Sequence, residues 1–329
     1  MKTSGSGHCI RAVGLMLGLL AIPLSAMAEF PDRPVQIVVP VGPGGGTDLL
    51  ARQLAKKLSD VWGQPVVVEN KAGGGGIIGA DVVMKAAPNG YTLLFSHDAV
   101  VTATPLLYKR PDFDPVRQLA PITELATMSY VVVVNPSVPA KDIPELIAVM
   151  KEKSAKKETF GFATSALGSA DHLSGEQFKA AAGVDMLVVP YKNSLPAMSD
   201  VIAGHLPFGF FTIAGTQPHV KAGTLRAVGI TSSKRSLLLP DVQTIGETLP
   251  GFVSGAWYGL WAPANTPPET LAKISTDVRR IVNSPEMAAY MLNNGFEAAT
   301  STPAEFAEFI KRDISKTAQV IKSANVRLE

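Results

Sequence analysis

The chain has 329 residues, 30 Lys+Arg against 28 Asp+Glu, 46% hydrophobic residues and one cysteine. So even a balance excludes an electrostatic nucleic-acid binder, which needs a basic face to displace counterions from phosphate. A single cysteine, Cys9, excludes an internal disulfide framework and a cysteine-built metal site, so stability must come from a buried core.

In chain order, Lys2 and Arg11 lead into the apolar run Ala12–Leu24, and Ser25-Ala26-Met27-Ala28 follows with alanines at the −3 and −1 positions of a cut before Glu29. That pattern predicts a secretory signal peptide over residues 1–28, cleaved after Ala28. The run falls short of the roughly 20 apolar residues of a membrane span. Removing it leaves 28 basic and 28 acidic residues, and takes Cys9 away.

Val35–Val41 (VQIVVPV) reads as a parallel strand buried on both faces. The loop Val41–Gly46 is followed by a helix from Thr47 that carries Leu50, Leu54, Leu58 and Val61 on one face. Pro65–Asn70 is a second strand, a glycine run and a helix near Ile77–Ala87 follow, and Tyr91–Ser96 is a third strand. This rhythm predicts a doubly wound α/β domain. A second set runs through strand Tyr130–Val134, helix Ile143–Lys151, strand Thr159–Ala163, helix Ala170–Ala182, strand Met186–Pro190, helix Ala197–Ala203 and strands near Phe208–Ile213 and Arg226–Thr231. Leu249–Pro268, rich in Gly, Pro and Trp, reads as a return crossing. Two terminal helices are expected, each opened by a capping box, Thr266–Glu269 and Thr302–Glu305.

Three loops invite a ligand. In Gly42-Pro43-Gly44-Gly45-Gly46-Thr47-Asp48 no lysine follows the last glycine, so it is not a Walker loop, and the G-x-G-x-x-G spacing also fails. Glycines still allow close backbone approach, and a helix start offers unpaired N–H groups to an anion. Thr47 is the expected N-cap and Asp48 an orienting residue. Gly45→Val is expected to force an unfavourable backbone. Gly74–Gly79 does fit the dinucleotide spacing, but a tight helix–strand packing loop is the preferred reading. Thr164, Ser165, Gly168 and Ser169 precede another helix, so two such loops, one per domain, are expected to face each other across a cleft. His172, in that helix's first turn, reads either as a hydrogen-bonded structural group or as a ligand contact. No H-E-x-x-H and no G-x-S-x-G motif is present, so no catalytic residue, metal or cofactor is expected. Trp257 is kept as a possible cleft wall.

FPDRPVQIVVPVGPGGGTD, GQPVVVENKAGGGGIIGAD, HLSGEQFKAAAGVDMLVVPYK, PHVKAGTLRAVGITSSKRS and WYGLWAPANTPPE occur collinearly. With them the chain resembles the Bug-type periplasmic binding proteins, the solute receptors of tripartite tricarboxylate transporters, from about Phe30 to its C-terminus. The resemblance implies a type II-like periplasmic-binding-protein fold of two doubly wound domains joined by a hinge. Its lobes would be residues 29–134 with 251–329, and residues 135–250. It also implies a monomeric receptor, not an enzyme, that grips a small carboxylate through backbone N–H groups and waters. The gripping segments map onto Gly42–Asp48 and onto Thr164, Ser165, Leu167, Gly168 and Ser169, with Ser96, His97, Asp98, Tyr191 and Lys192 bordering the cleft. Phe211 and Thr212 stand where the family usually carries an Asp, which suggests a ligand with an apolar or aromatic body. A permease of one large and one small membrane subunit is the implied partner. A receptor that signals to a membrane sensor is the alternative, and a secreted α/β enzyme a more distant one.

Overall fold

A computed structural model describes residues 1–2, 30–108 and 110–323. The expected leader, beyond Met1 and Lys2, lies outside the described residues. The first unit is β1 (Val35–Val39), α1 (Gly46–Trp62), β2 (Val66–Asn70), α2 (Ile77–Met84) and β3 (Thr92–His97). β1 is apolar on both sides because it is covered on both. Leu50, Leu54 and Leu58 of α1 pack with Ile37 and Val39, while Ile77, Ala80 and Val83 of α2 pack with Val38. β1 pairs in parallel with β2 and with β3, so the crossovers leave it in opposite directions. The crevice beyond the C-terminal ends of β1 and β3 is therefore a topological switch point, where ligands of open α/β sheets bind.

The second glycine run is a packing device. A Cβ on Gly79 would sit 2.8 Å from Pro40 Cα, so only glycine lets α2 lie this close to the end of β1. The space over Gly75 and Gly76 is filled by Tyr108 and Val100, which leaves no dinucleotide cradle.

Two short helices, α3 (Thr104–Leu107) and α4 (Pro115–Gln118), precede the long strand β4 (Leu119–Met128), which sequence periodicity did not predict. Ser129 alone separates it from β5 (Tyr130–Val134), and β5 belongs to the other sheet, paired with β8 and β9. The passage between sheets is thus at Ser129, which corrects the expected boundary after residue 134. The second unit continues as α5 (Ile143–Ala155), β6 (Gly161–Thr164), α6 (Ala170–Ala182), β7 (Leu187–Pro190), α7 (Ser194–Ile202), β8 (Phe208–Thr212), α8 (Ile213–Lys221) and β9 (Arg226–Ile230). Its sheet order is β7-β6-β8-β5-β9, with β6 parallel to both neighbours, so a second switch point lies between β6 and β8. α8 was not foreseen; it starts directly after β8 and contains Pro218.

The chain then returns, and β10 (Ala256–Pro263) inserts antiparallel between β3 and β4 of the first sheet. β10 thus holds in lobe 1 the place that β5 holds in lobe 2. Three helices follow rather than two: α9 (Pro268–Val282), α10 (Pro285–Asn293) and α11 (Pro303–Ser323), with the two-residue β11 (Glu297–Ala298) on the sheet edge. The extra break is made by Ser284, whose hydroxyl accepts the Met287 N–H at 3.3 Å. The capping box at Thr302–Glu305 forms in both directions. The one at Thr266 does not, because its hydroxyl donates to the Pro263 carbonyl at 2.8 Å. The result is the expected two-lobed α/β fold.

Candidate ligand cleft

Both switch points carry a loop that starts a long helix, α1 in lobe 1 and α6 in lobe 2. The two lobes meet beside these loops. A Cβ on Gly168 would lie 3.3 Å from Leu107 of lobe 1, and one on Gly295 of lobe 1 would lie 3.0 Å from Ala214 of α8. Phe296, next to Gly295, packs over Gly46. Ala170, the first residue of α6, touches the cores of both lobes. The two loops therefore lie where the lobes touch.

In lobe 1 the N-cap is Gly45, with extended backbone and no side-chain cap, so Thr47 is not the cap and lies inside the first turn. Asp48 organises the loop. Its Oδ2 accepts the Gly44 N–H at 2.9 Å and Arg52 Nε at 3.0 Å, and its Oδ1 accepts Asn70 Nδ2 at 2.8 Å. Burial alone would raise its pKa, but the hydrogen bonds from Arg52, Gly44 and Asn70 hold the carboxyl below its usual range. Arg52 thus compensates the charge of the acid inside the loop. The N–H groups of Gly46 and Thr47 have no backbone partner.

In lobe 2 Asp171 does the stitching, a role the sequence reading missed. Its Oδ2 accepts Thr164 Oγ1 at 2.8 Å and the Ser165 N–H at 2.6 Å, and its Oδ1 accepts Ser165 Oγ at 2.7 Å. The hydroxyls of Thr164 and Ser165 are thus engaged within the loop. Ser169 is the N-cap of α6, but its hydroxyl donates to the Ala166 carbonyl at 2.6 Å. Nδ1 of the buried His172 accepts the Gly168 N–H at 2.9 Å. Burial lowers the His172 pKa against the pull of Asp171, so the ring is neutral near pH 7. Leu167 stands exposed at the loop tip.

Two buried tyrosines that the sequence reading did not select are Tyr130 of β5 and Tyr258 of β10. Tyr258 lies beside the Thr47 side chain, and its pKa is pushed up by burial and then by the charge of Asp98. Tyr130 is raised too, by burial first and then by Asp171, Tyr258 and Asp98. Both phenols therefore stay protonated. Tyr258 thus adjoins the lobe 1 loop, with its hydroxyl donating to Met128 Sδ at 3.9 Å, while Tyr130 feels the charge of Asp171 in lobe 2. Asp98 follows β3, with a buried Oδ1 that has no hydrogen-bond partner and His97 Nδ1 3.8 Å away. Ser96 is fully buried, its hydroxyl donating to the His97 carbonyl.

Three expected cleft residues pack with the lobe cores. Side chains alternate along β10, so Tyr258 and Leu260 face α1 while Trp257 and Trp261 face α2 and α11. Trp257 is accordingly buried against Phe306 and Phe309, its Nε1–H donating to Asp313 Oδ2 at 2.9 Å, on the opposite side of the sheet from Tyr258. Phe211 is only 2% exposed, packed in the lobe 2 core with Ala163 and Met198, so it presents no phenyl to a ligand. Tyr191 packs against the same core, and its hydroxyl donates to Asp200, which pushes its pKa, already raised by burial, to about 12. Thr212 remains at the start of α8 as its N-cap. Among the described residues no group of three His, Cys, Asp or Glu side chains is arranged to hold a metal. None of the described helices is long and apolar enough to cross a membrane.

Two α/β lobes of matching strand order, joined by two crossings, define the two-lobed architecture of periplasmic solute-binding proteins. The sequence pattern described as the Tripartite tricarboxylate transporter family receptor matches residues 50–326. The chain belongs to that family. It is 35% identical to protein BugT of Bordetella pertussis over 323 residues, 97% of this chain and 98% of that protein. Among solved structures it is similar to R. palustris Rpa4515 with adipate, at TM-score 0.77 and 30% identity over 91% of this chain and 99% of that one. It is also similar to MatC from Rhodopseudomonas palustris with bound malate, at TM-score 0.71 and 29% identity, covering 89% of this chain and 100% of that one.

Proposed function

We propose that the protein is a periplasmic receptor that closes its lobes on a small carboxylate and delivers it to a membrane permease of one large and one small subunit. The observation that carries the reading is the pair of helix starts, α1 and α6, set where the lobes touch and with first amides that have no backbone partner. The acids beside them are held by bonds within their own loops, Asp48 by Arg52 and the Gly44 amide and Asp171 by Thr164 and Ser165. An anion between the lobes gains from two helix ends, each worth roughly half a positive charge. Thr47, Tyr130 and Tyr258 add neutral donors. Closure is then driven by contacts a ligand makes with both lobes only in the closed state. The adipate- and malate-bound relatives support a carboxylate, and the position of Phe211 in the core removes the argument for an aromatic ligand body.

Thermal-shift and calorimetric titration of the mature protein with adipate, malate, citrate and phthalate test this. A true ligand at about 100 times its Kd adds about 2.7 kcal/mol of stability. No response to any of the four acids, with a clear response to a neutral or cationic solute, would refute the carboxylate reading.

A further inference from the structure

One bond recurs at the two helix starts. In lobe 1 Gly44, at φ +88°, donates its N–H to Asp48 Oδ2 at 2.9 Å. In lobe 2 Gly168, at φ +78°, donates its N–H to His172 Nδ1 at 2.9 Å. In both, the donor precedes the N-cap and the acceptor is the third residue of the helix. An ordinary capping box ties that third side chain to the N-cap amide itself. The tie one residue earlier fixes the glycine amide that leads into the helix; the first helical amides, Gly46 and Thr47 in lobe 1 and Ala170 and Asp171 in lobe 2, have no backbone partners, as at any helix start.

The two latches differ in charge, and their surroundings account for it. Asp48 has Arg52 four residues on and Asn70 across the loop to neutralise it. The residue four on from His172 is Glu176, and Asp171 already places a carboxylate beside the loop. A second carboxylate there would oppose the anion the helix start attracts. A neutral imidazole supplies the same acceptor without that charge.

We propose that His172 is a positioning residue for ligand binding: with its proton on Nε2, its Nδ1 holds the Gly168 amide and so aims the free amides of α6 into the cleft. The proposal rests on the carboxylate-receptor reading. A bond accepted at Nδ1 requires a lone pair there, which assigns the ring proton to Nε2. Lobe 1 indicates which side chains can replace it. The carboxyl oxygen of Asp48 is as many bonds from Cα as Nδ1 of histidine, so asparagine reproduces the acceptor, glutamine overshoots it and alanine lacks it.

The test compares wild type with His172→Asn, His172→Gln and His172→Ala, using nitrogen NMR of the ring, amide hydrogen exchange at Gly168 without ligand, and calorimetry with adipate and malate. Expected are an Nε2-protonated ring in wild type and Gly168 protection kept in His172→Asn but lost in the other two. For whichever acid binds wild type, affinity should fall about three- to tenfold in the Gln and Ala variants, the worth of one lost hydrogen bond, and stay near wild type in the Asn variant. Comparison at matched Tm removes general destabilisation. A proton on Nδ1 of wild type, or unchanged Gly168 protection in His172→Ala, overturns the latch. Changed protection with equal affinity in all four proteins overturns the positioning role. Failure of wild type to bind either acid removes the carboxylate reading and the ligand role with it, while the exchange and nitrogen data still decide the latch.

Discussion

The Gly44 amide donates to Asp48 Oδ2 at 2.9 Å, and the same carboxyl also takes Arg52 and Asn70, so one buried acid ties the glycine loop to its helix and to β2. Asp48→Ala leaves these three donors without their common acceptor. The expected outcome is a loss of about 1–3 kcal/mol in stability, from denaturant unfolding, together with weaker carboxylate binding. Asp48→Asn keeps one acceptor oxygen and should lie between. Wild-type affinity in the alanine variant would show that the loop does not need this tie.

The glycines of that loop are not equivalent. Gly44 has φ +88°, where a side chain is strained by roughly 1–2 kcal/mol, although nothing lies within 4 Å of its missing Cβ. Gly45 has φ −79° and open space, so Gly45→Val is compatible with the backbone, which corrects the expected strain. Gly44→Ala should therefore lower both Tm and affinity, whereas Gly45→Ala should leave Tm within a degree or so of wild type. Any loss of affinity in Gly45→Ala then reports a methyl group in the way of a ligand. Thermal unfolding and calorimetry of the two variants separate the cases.

Behind the hinge, Glu124 and Asp313 line a cavity of about 260 Å³ together with Met128, Ser129 and Gly255 of the two crossings. Burial, then the charge of Asp313, raises the Glu124 pKa from 4.5 to about 7. The native state thus holds this proton more tightly than the unfolded chain. Its contribution is fully present below pH 4.5 and is lost as pH rises through about 7. Glu124→Gln should remove that part of the decline, gaining on the order of 2 kcal/mol over wild type at about pH 8 and little at about pH 4. Parallel unfolding curves for the two proteins across that range would contradict it.

Trp257 offers a control on the placement of the cleft. Its ring lies in the core shared with α11, and its Nε1–H is bonded to Asp313. Trp257→Phe leaves that carboxylate without this donor and should cost about 1–3 kcal/mol of stability. Ligand affinity should be unchanged. A large loss of affinity at constant stability would return Trp257 to the cleft wall.

Sequence by itself determined the local events. The apolar runs of β1 and β5, the amphipathic α1 and α6, and the glycines after β1 and before α6 each state their role within a few residues, because strand burial, helix period and backbone freedom are short-range properties. The resemblance carried by its collinear motifs extended this to a two-lobed receptor. Tertiary structure decided what depends on distant partners. β4 is a strand because β10, far along the chain, pairs with it, although its own pattern contains Pro121. Phe211 and Trp257 pack into the cores of their lobes because their sheets have two covered faces, and periodicity alone does not say which face borders the ligand. Tyr130 and Tyr258 come together only when the chain crosses back between the lobes. The role of His172, too, was open from its position in the chain, since a histidine in a first helical turn acquires its partner only when the preceding glycine bends its amide back toward the ring.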